Sequence, residues 1–501
     1  MSGIVFALTA PPTDAPLGLL AGLVGFALCM PPAEGEPRAR RAVLVGLMFG
    51  LGANLVALRF VPEVITRFTP LGQAPATLAL VLLSLAQAIP WLLGALSAHV
   101  LARRGVARWL AFACGVYVAT FVPAIFPWTP AGGLATWPWM IQLADVVGER
   151  GVSLLIAAAT GLFADAVTTL RRGGTARRAS VVPMAIGVAL LVGMALHGAA
   201  RSASVERARR EAPHARVAVV QPLFEAFDRW EAERSAMMME RLTSLTLAAE
   251  KRGAELVVWP ESAYPYPIPH ALRRSPVGPR AVLGYGVRGP VLTGAYTTGA
   301  GGASYNAAIL ARSDGSIARP YAKRHLLWFG ETVPLSDTFP WLRRVFARGT
   351  GILPGDHQVL FEAGAVRAAV LNCYEDTLPV AGREAMEVEP NLLVNVTNDA
   401  WFAGSAEGEL HLRLAVLRAV EARRDMVRAV NAGPTSWVDA AGVVRLRYVG
   451  PVPAAPLTSP ALLEGKTFYS RHGDGPFAAL VALAAVTGAL RARRRREAAA
   501  G

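Results

Sequence analysis

The chain carries 501 residues, of which 53% are hydrophobic and only 17% charged, with 50 basic against 36 acidic side chains and a formal charge of +14. An average soluble domain is roughly 25% charged, so this composition excludes a disordered or fibrous chain and argues against a wholly soluble enzyme. Three cysteines, Cys29, Cys114 and Cys373, exclude a dense disulfide framework; the eight histidines stand singly, without zinc spacing, and neither a metal nor a cofactor is expected.

Residues 1–200 hold 13 arginines, no lysine and seven acids, gathered in clumps. Between the clumps lie apolar runs at about 16–30, 42–60, 77–101, 109–127, 151–170 and 180–199, and another follows at 476–490. A bilayer-crossing helix needs around 20 apolar residues. The pattern therefore predicts a transmembrane helical domain over 1–200, with six clear spans, and one C-terminal span with a basic tail over 476–501. The run 16–30 is short and needs its flanks. Ile4 to Ala10 is shorter still, and no positive segment precedes it as in a signal peptide.

The basic loops alternate with sparsely charged ones. Arg38, Arg40 and Arg41 form one cluster; Arg103, Arg104 and Arg108 a second; Arg171, Arg172, Arg177 and Arg178 a third; Arg491 and Arg493 to Arg496 a fourth. The loops between them, 61–76 and 128–150, carry one arginine each, Arg67 and Arg150. Under the positive-inside rule the four clusters face the cytoplasm, so the basic surplus reads as topology and no nucleic-acid partner is expected. Residues 201–475 are then extracytoplasmic, which in a two-membrane bacterium is the periplasmic side of the inner membrane. Trp128, Trp137 and Trp139 fall in a loop on the same side, where they suit an interfacial belt or a lipid entrance.

The extramembrane part reads as a layered α/β domain. Strands are expected at Arg216–Gln221, Glu255–Trp259, Val291–Thr297, Tyr305–Arg312, Val366–Asn372 and Asn391–Thr397. Helices are expected at Trp230–Arg252 and Glu407–Val430, the second carrying Leu410, Leu414, Leu417 and Met426 on one face and ending at Asn431-Ala-Gly433-Pro434. Thr435–Val449 reads as a hairpin turning at Ala441-Gly442.

Three features of this part carry chemistry. Cys29 and Cys114 fall within apolar spans, where a cysteine is a small filler. Cys373 stands alone in the outer domain, where a predicted strand runs out into Cys373-Tyr374-Glu375-Asp376, a position for a nucleophile or for an inert buried thiol. Glu261 directly follows the strand Glu255-Leu-Val-Val-Trp-Pro, as an acid–base group or as a loop carboxylate. Lys323 is one of three lysines against 47 arginines; it is solvated surface or a point charge that arginine cannot mimic. Together they form a coherent set. A carboxylate can take the thiol proton, the thiolate can attack an acyl carbonyl, and an ammonium can hold the oxyanion.

The segments Val257-Val-Trp-Pro-Glu261, Tyr321-Ala-Lys-Arg-His-Leu-Leu-Trp-Phe-Gly-Glu331, Asn372-Cys-Tyr-Glu375 and Asn395-Val-Thr-Asn-Asp-Ala-Trp-Phe402 resemble, in this order, the nitrilase (carbon–nitrogen hydrolase) superfamily. With spans before and one after, nearly the whole chain resembles the bacterial apolipoprotein N-acyltransferase family. The resemblance implies an αββα sandwich over 201–475, with Glu261 as general base, Lys323 as transition-state stabiliser and Cys373 as nucleophile. It also implies supporting roles for Glu331, Tyr374 and Glu375, and aromatic positions near the substrate cleft for Trp230 and Trp401. The expected partners are a phospholipid acyl donor, phosphatidylethanolamine in that family, and diacylglyceryl apolipoproteins, with the enzyme a monomer. A membrane-tethered amidase acting on a small amide uses the same triad and stands as the alternative. The chain departs from the family where Trp328-Phe-Gly-Glu-Thr332-Val-Pro334 stands for Pro-Phe-Gly-Glu-Tyr-Val-Pro, and where Pro222-Leu-Phe follows the first strand.

Overall fold

The computed structural model describes residues 1–501 apart from 33–38, 173–175, 329, 334–335, 342–350 and 501. Arg38, Phe329 and Pro334 therefore lie outside the described residues, as do the side chains of Arg177, Arg495 and Arg496. The chain divides into two compact units, Met1–Ser202 with Arg471–Gly501, and Ala203–Ser470.

The first unit is helical: α1 (Ser2–Ala7), α2 (Pro16–Cys29), α3 (Ala39–Ala57), α4 (Val61–Phe68), α5 (Gln73–Gln87), α6 (Ile89–Arg103), α7 (Arg108–Ala119), α8 (Ala144–Arg171), α9 (Ala176–Ala179) and α10 (Val181–Glu211). Among the described residues, five stretches are long and apolar enough to cross a membrane: Ala39–Ala57, Gln73–Arg103, Ala144–Arg171, Val181–Glu211 and Gly475–Arg494. Two expected spans are shorter. The run 109–127 yields only the 12-residue α7, because Pro123, Pro127 and Pro130 cannot continue a helix. The run 16–30 yields the 14-residue α2, which stops before Pro31-Pro32. Small residues let helices approach closely: a Cβ on Gly94 would lie 2.6 Å from the carbonyl oxygen of Gly115. The short α1 is held by Phe6, whose ring meets those of Phe49 and Trp91 at 5.4 and 5.3 Å.

The second unit holds two sheets. Its strands are β1 (Val217–Val219), β2 (Leu256–Val258), β3 (Ile268–Pro269), β4 (Val291–Thr298), β5 (Ser304–Ala311), β6 (Tyr321–Ala322), β7 (Leu360–Ala363), β8 (Val366–Asn372), β9 (Leu392–Asn398), β10 (Met426–Asn431), β11 (Thr435–Val438), β12 (Val444–Tyr448) and β13 (Leu457–Thr458). One sheet runs β13-β1-β2-β4-β5-β6 with β3 beside β4, the other β12-β11-β10-β9-β8-β7. The central pairs β1–β2, β2–β4, β8–β9 and β9–β10 are parallel. Such strands are buried on both faces and read as near-continuous apolar runs, which makes β1, β2, β4, β8 and β9 legible in the sequence. Val217, Val219, Val258 and Leu310 of the first sheet share one buried cluster with Phe361, Val370, Val394 and Val427 of the second. On its other face the first sheet packs against Met238, Met239 and Leu242 of α11 (Ser235–Lys251). The second sheet carries α12 (Pro379–Ala385) and α13 (Glu407–Ala422). The layers are those of an αββα sandwich.

One expectation is corrected. The helix expected over Glu407–Val430 ends at Ala422, and Met426–Asn431 is the strand β10. Arg423 takes a left-handed φ of 51°. Asp425 then accepts hydrogen bonds from Arg209 (2.9 and 3.0 Å), Trp437 Nε1 (2.9 Å) and the backbone N–H groups of Ala440 (2.9 Å) and Ala461 (3.0 Å). These tertiary partners stop the helix and feed Val427 and Val430 into the sheet. The helix expected from Trp230 also starts later, at Ser235, after two 3-10 turns.

Candidate active site

The site is assembled from the ends of strands. β2 ends at Val258, and Trp259-Pro260 carries the chain to Glu261. The buried Trp259 donates through Nε1 to Thr246 Oγ1 at 2.9 Å. Gly294 of β4 admits this turn, since a Cβ there would lie 2.5 Å from the Glu261 Cα. Lys323 follows the short β6 and is pinned at both backbone ends: its N–H donates to the Asn306 carbonyl and its carbonyl accepts from Gly355, each at 2.8 Å. Cys373 follows β8 with φ 51°. A non-glycine residue in that region is strained and is held there by its surroundings. Here the holders are Asn372 and Glu375, which form a reciprocal capping box around the turn Cys373–Thr377.

The three residues meet. Lys323 Nζ lies 2.7 Å from Glu331 Oε2 and 3.7 Å from Glu261 Oε1. Asn306 Nδ2 donates to both carboxylates, at 2.7 Å to Glu261 and 2.6 Å to Glu331. Its Oδ1 accepts from Asn372 Nδ2 at 3.1 Å. The Asn398 N–H donates to Glu261 Oε2 at 3.1 Å, and the Leu327 N–H to Glu331 Oε2 at 2.9 Å. Glu261, Lys323 and Glu331 are buried, and Cys373 is half-buried.

Electrostatics assigns charges at rest. Burial disfavours an ammonium on Lys323, but the carboxylates of Glu331 and Glu261 outweigh it and hold Lys323 well above its usual pKa. Burial works against the Glu331 carboxylate too, and the Lys323 charge outweighs it, lowering its pKa. The Cys373 thiol goes the other way: burial, reinforced by the Glu261 charge and only partly offset by Lys323, pushes it well above its ordinary value. Cys373 at rest is therefore a neutral thiol beside a carboxylate and an ammonium, and needs a base to become a thiolate.

Glu375 is the tether of the site. Its Oε2 accepts the Asn372 N–H at 2.7 Å, its Oε1 accepts the N–H groups of Arg324 and His325 at 2.8 and 3.1 Å, and the Tyr321 hydroxyl donates to it at 2.8 Å. It thus ties the cysteine turn to the lysine loop. Tyr374 is half-buried beside Cys373, and burial pushes its phenol up to about 12. Trp230 and Trp401 lie together with ring centroids 5.8 Å apart and Phe227 against both.

Three elements of the site escaped sequence reasoning. Asn306, the amide joining the two glutamates, had one signal: a polar residue in an otherwise apolar strand. Gly294 had none. The third is a buried charge group behind the cysteine turn. His411 faces Asp376 Oδ1 at 2.8 Å and Asp399 Oδ1 at 3.3 Å, and Arg428 Nε donates to Asp376 Oδ2 at 2.9 Å. Donor atoms of Asp399, Glu407 and His411 lie within 4.8 Å of one another, a spacing able to hold a metal ion. The donor chemistry fits an imidazolium better, because both His411 nitrogens point at carboxylate oxygens and a guanidinium stands alongside. Burial opposes that charge, and Asp376 and Asp399 outweigh it, holding His411 well above its usual pKa.

Comparison with known proteins agrees with this architecture. The apolipoprotein N-acyltransferase N-terminal domain family matches residues 2–162, and the carbon–nitrogen hydrolase family matches residues 216–448. An apolipoprotein N-acyltransferase from Geobacter metallireducens is 31% identical over 519 residues, covering 99% of this chain and 95% of its own. That from Bradyrhizobium diazoefficiens is 32% identical over 425 residues, covering 79% and 75%. Among solved structures, a mutant amidase of the nitrilase superfamily from Nesterenkonia is 18% identical with a TM-score of 0.38, covering 53% of this chain and 97% of its own. Matched over nearly its whole length by an N-acyltransferase at 31% identity, and by both family models in turn, the chain is an acyltransferase and belongs to the apolipoprotein N-acyltransferase family.

Proposed function

We propose that this chain transfers an acyl group from a membrane phospholipid to the N-terminal amine of a diacylglyceryl apolipoprotein, in two steps through a thioester on Cys373. One observation carries the reading: Glu261, Lys323 and Glu331 form a single hydrogen-bonded group around a strained cysteine turn, in a chain that also has helices long enough to cross a membrane. Glu261 takes the thiol proton as the sulfur attacks the ester carbonyl. The Lys323 ammonium stabilises the tetrahedral oxyanion. The carbon–oxygen bond then breaks, the alkoxide takes the proton from Glu261, and a lysophospholipid departs. In the second step the lipoprotein amine attacks the thioester carbonyl, Glu261 takes the ammonium proton, the carbon–sulfur bond breaks, and Glu261 returns the proton to the thiolate to restore the thiol. Glu331 supports Lys323, while Tyr374 and Glu375 shape the cysteine turn. Trp230 and Trp401 border the cleft as an aromatic wall. The basic loops face the cytoplasm and residues 201–475 the periplasm, where both lipid-anchored substrates meet at the outer leaflet of the inner membrane.

Incubation of the purified protein with phosphatidylethanolamine, followed by intact mass analysis, tests this. The expected result is an acyl adduct that hydroxylamine removes and that Cys373→Ala lacks; an undiminished adduct in the variant would sink the nucleophile assignment. Complementation of a strain depleted of its own N-acyltransferase separates this function from that of a small-amide amidase.

A further inference from the structure

Among the described residues, Arg229 is a cation without a carboxylate. It makes no ion pair among them, and its acidic neighbours are engaged elsewhere: Arg234 Nε lies 3.7 Å from Asp228 and 3.2 Å from Glu231. Instead the guanidinium lies over two aromatic rings, 3.9 Å from the centroid of Tyr296 and 4.8 Å from that of Trp230. Tyr296 connects this cation to the active site. It pairs across β4–β5 with Asn306, so the two side chains share a face, and Asn306 holds Glu261 and Glu331. Arg229 is thus one ring away from the reacting group, and half-buried. Beside it Trp230 and Phe227 remain 56% and 36% exposed, the kind of aromatic edge that sits at a membrane–water interface.

The charges below this rim are unbalanced. Two carboxylates, Glu261 and Glu331, face one ammonium, Lys323. A lipid phosphodiester entering beside them would be repelled unless a cation stood at the entrance. Guanidinium stacked on aromatic faces keeps its five donors in a planar fork suited to phosphate oxygens.

We infer that Arg229 binds the phosphodiester of the acyl donor, seating the headgroup at the rim while the ester, a glycerol backbone away, reaches Cys373. This rests on the phospholipid-donor reading above. It makes Arg229 a selectivity residue for phosphate-bearing donors.

The test compares two donors on the full-length protein: phosphatidylethanolamine, and a p-nitrophenyl ester of a medium-chain fatty acid, which has an acyl group and no phosphate. In Arg229→Gln the ratio of kcat/KM for the phospholipid over the neutral ester falls by about tenfold or more, the scale of one charge-assisted hydrogen bond. Arg229→Lys keeps the charge and recovers part of the ratio. An unchanged ratio overturns the inference. So does an equal loss with both donors, which would mean that Arg229 acts through Tyr296 on the catalytic group. Inorganic phosphate checks for a free-anion site: if it inhibits the neutral-ester reaction in the wild type but not in Arg229→Gln, with the donor ratio unchanged, the headgroup assignment is overturned. A wild type that accepts the neutral ester but no phospholipid refutes the donor reading itself, a result distinct from any of these.

Discussion

Lys323 and Cys373 are both held well above their usual pKa values, which leaves the one charged and the other neutral, and both shifts have visible consequences. The thiol is neutral at rest because burial and the Glu261 charge outweigh the Lys323 ammonium. Alkylation of Cys373 in the resting protein, followed by peptide mass analysis, is therefore expected to be slow at neutral pH and to keep rising past pH 9, with no thiolate plateau below it. Lys323 owes its charge chiefly to Glu331, 2.7 Å away. In Glu331→Gln that support is gone, so the lysine pKa falls and the ammonium is lost at lower pH. Acyl-enzyme formation should drop by about ten- to a hundredfold, the lower end of what one transition-state contact supplies, and the alkaline limb of the pH–rate profile should move down. A wild-type profile in the variant would mean that Glu331 does not govern the lysine. Glu261, Lys323 and Cys373 were legible in the sequence because each is a rare residue type or directly follows a strand pattern. Asn306 was not, because its importance lies in which two carboxylates its amide reaches across space.

α13 and β10 show how tertiary partners overrule local pattern. The apolar periodicity from Leu410 continues to Met426, yet the helix stops at Ala422 because Asp425 is claimed by Arg209, Trp437 and two backbone N–H groups. The N-terminal turn of α13 carries another consequence. Glu407 is buried against Asp399, and burial followed by the Asp399 charge raises its pKa to about 8. The folded protein therefore holds this proton more tightly than the unfolded chain, whose glutamate ionises near 4.3. Stability contributed by the neutral carboxyl is full at low pH and is lost as pH rises from that value through about 8. Glu407→Gln, which stays neutral throughout, should match the wild type near pH 3.5 and exceed its Tm by about 2 °C or more at pH 8. Equal melting curves at both pH values would show that Glu407 does not titrate in the fold.

The proposed topology makes a prediction at the scale of the whole molecule. Reporter tags placed in the 171–178 loop and near residue 300 should be reached from opposite sides of the membrane; finding both on one side refutes the orientation. The sequence by itself determined the division into an apolar helical part and an α/β part, the candidate sidedness, and the order of glutamate, lysine and cysteine. These are properties of composition, period and spacing along the chain, set by hydrocarbon thickness and strand burial. Only the tertiary structure decided where α13 stops, that Glu375 ties the cysteine turn to the lysine loop, that Asn306 bridges both carboxylates, and that Arg229 lies over Tyr296 at the rim. Each of these depends on strands and loops distant in sequence meeting at one end of the sandwich, where burial and neighbouring charge, which no local pattern records, set the chemistry of every group.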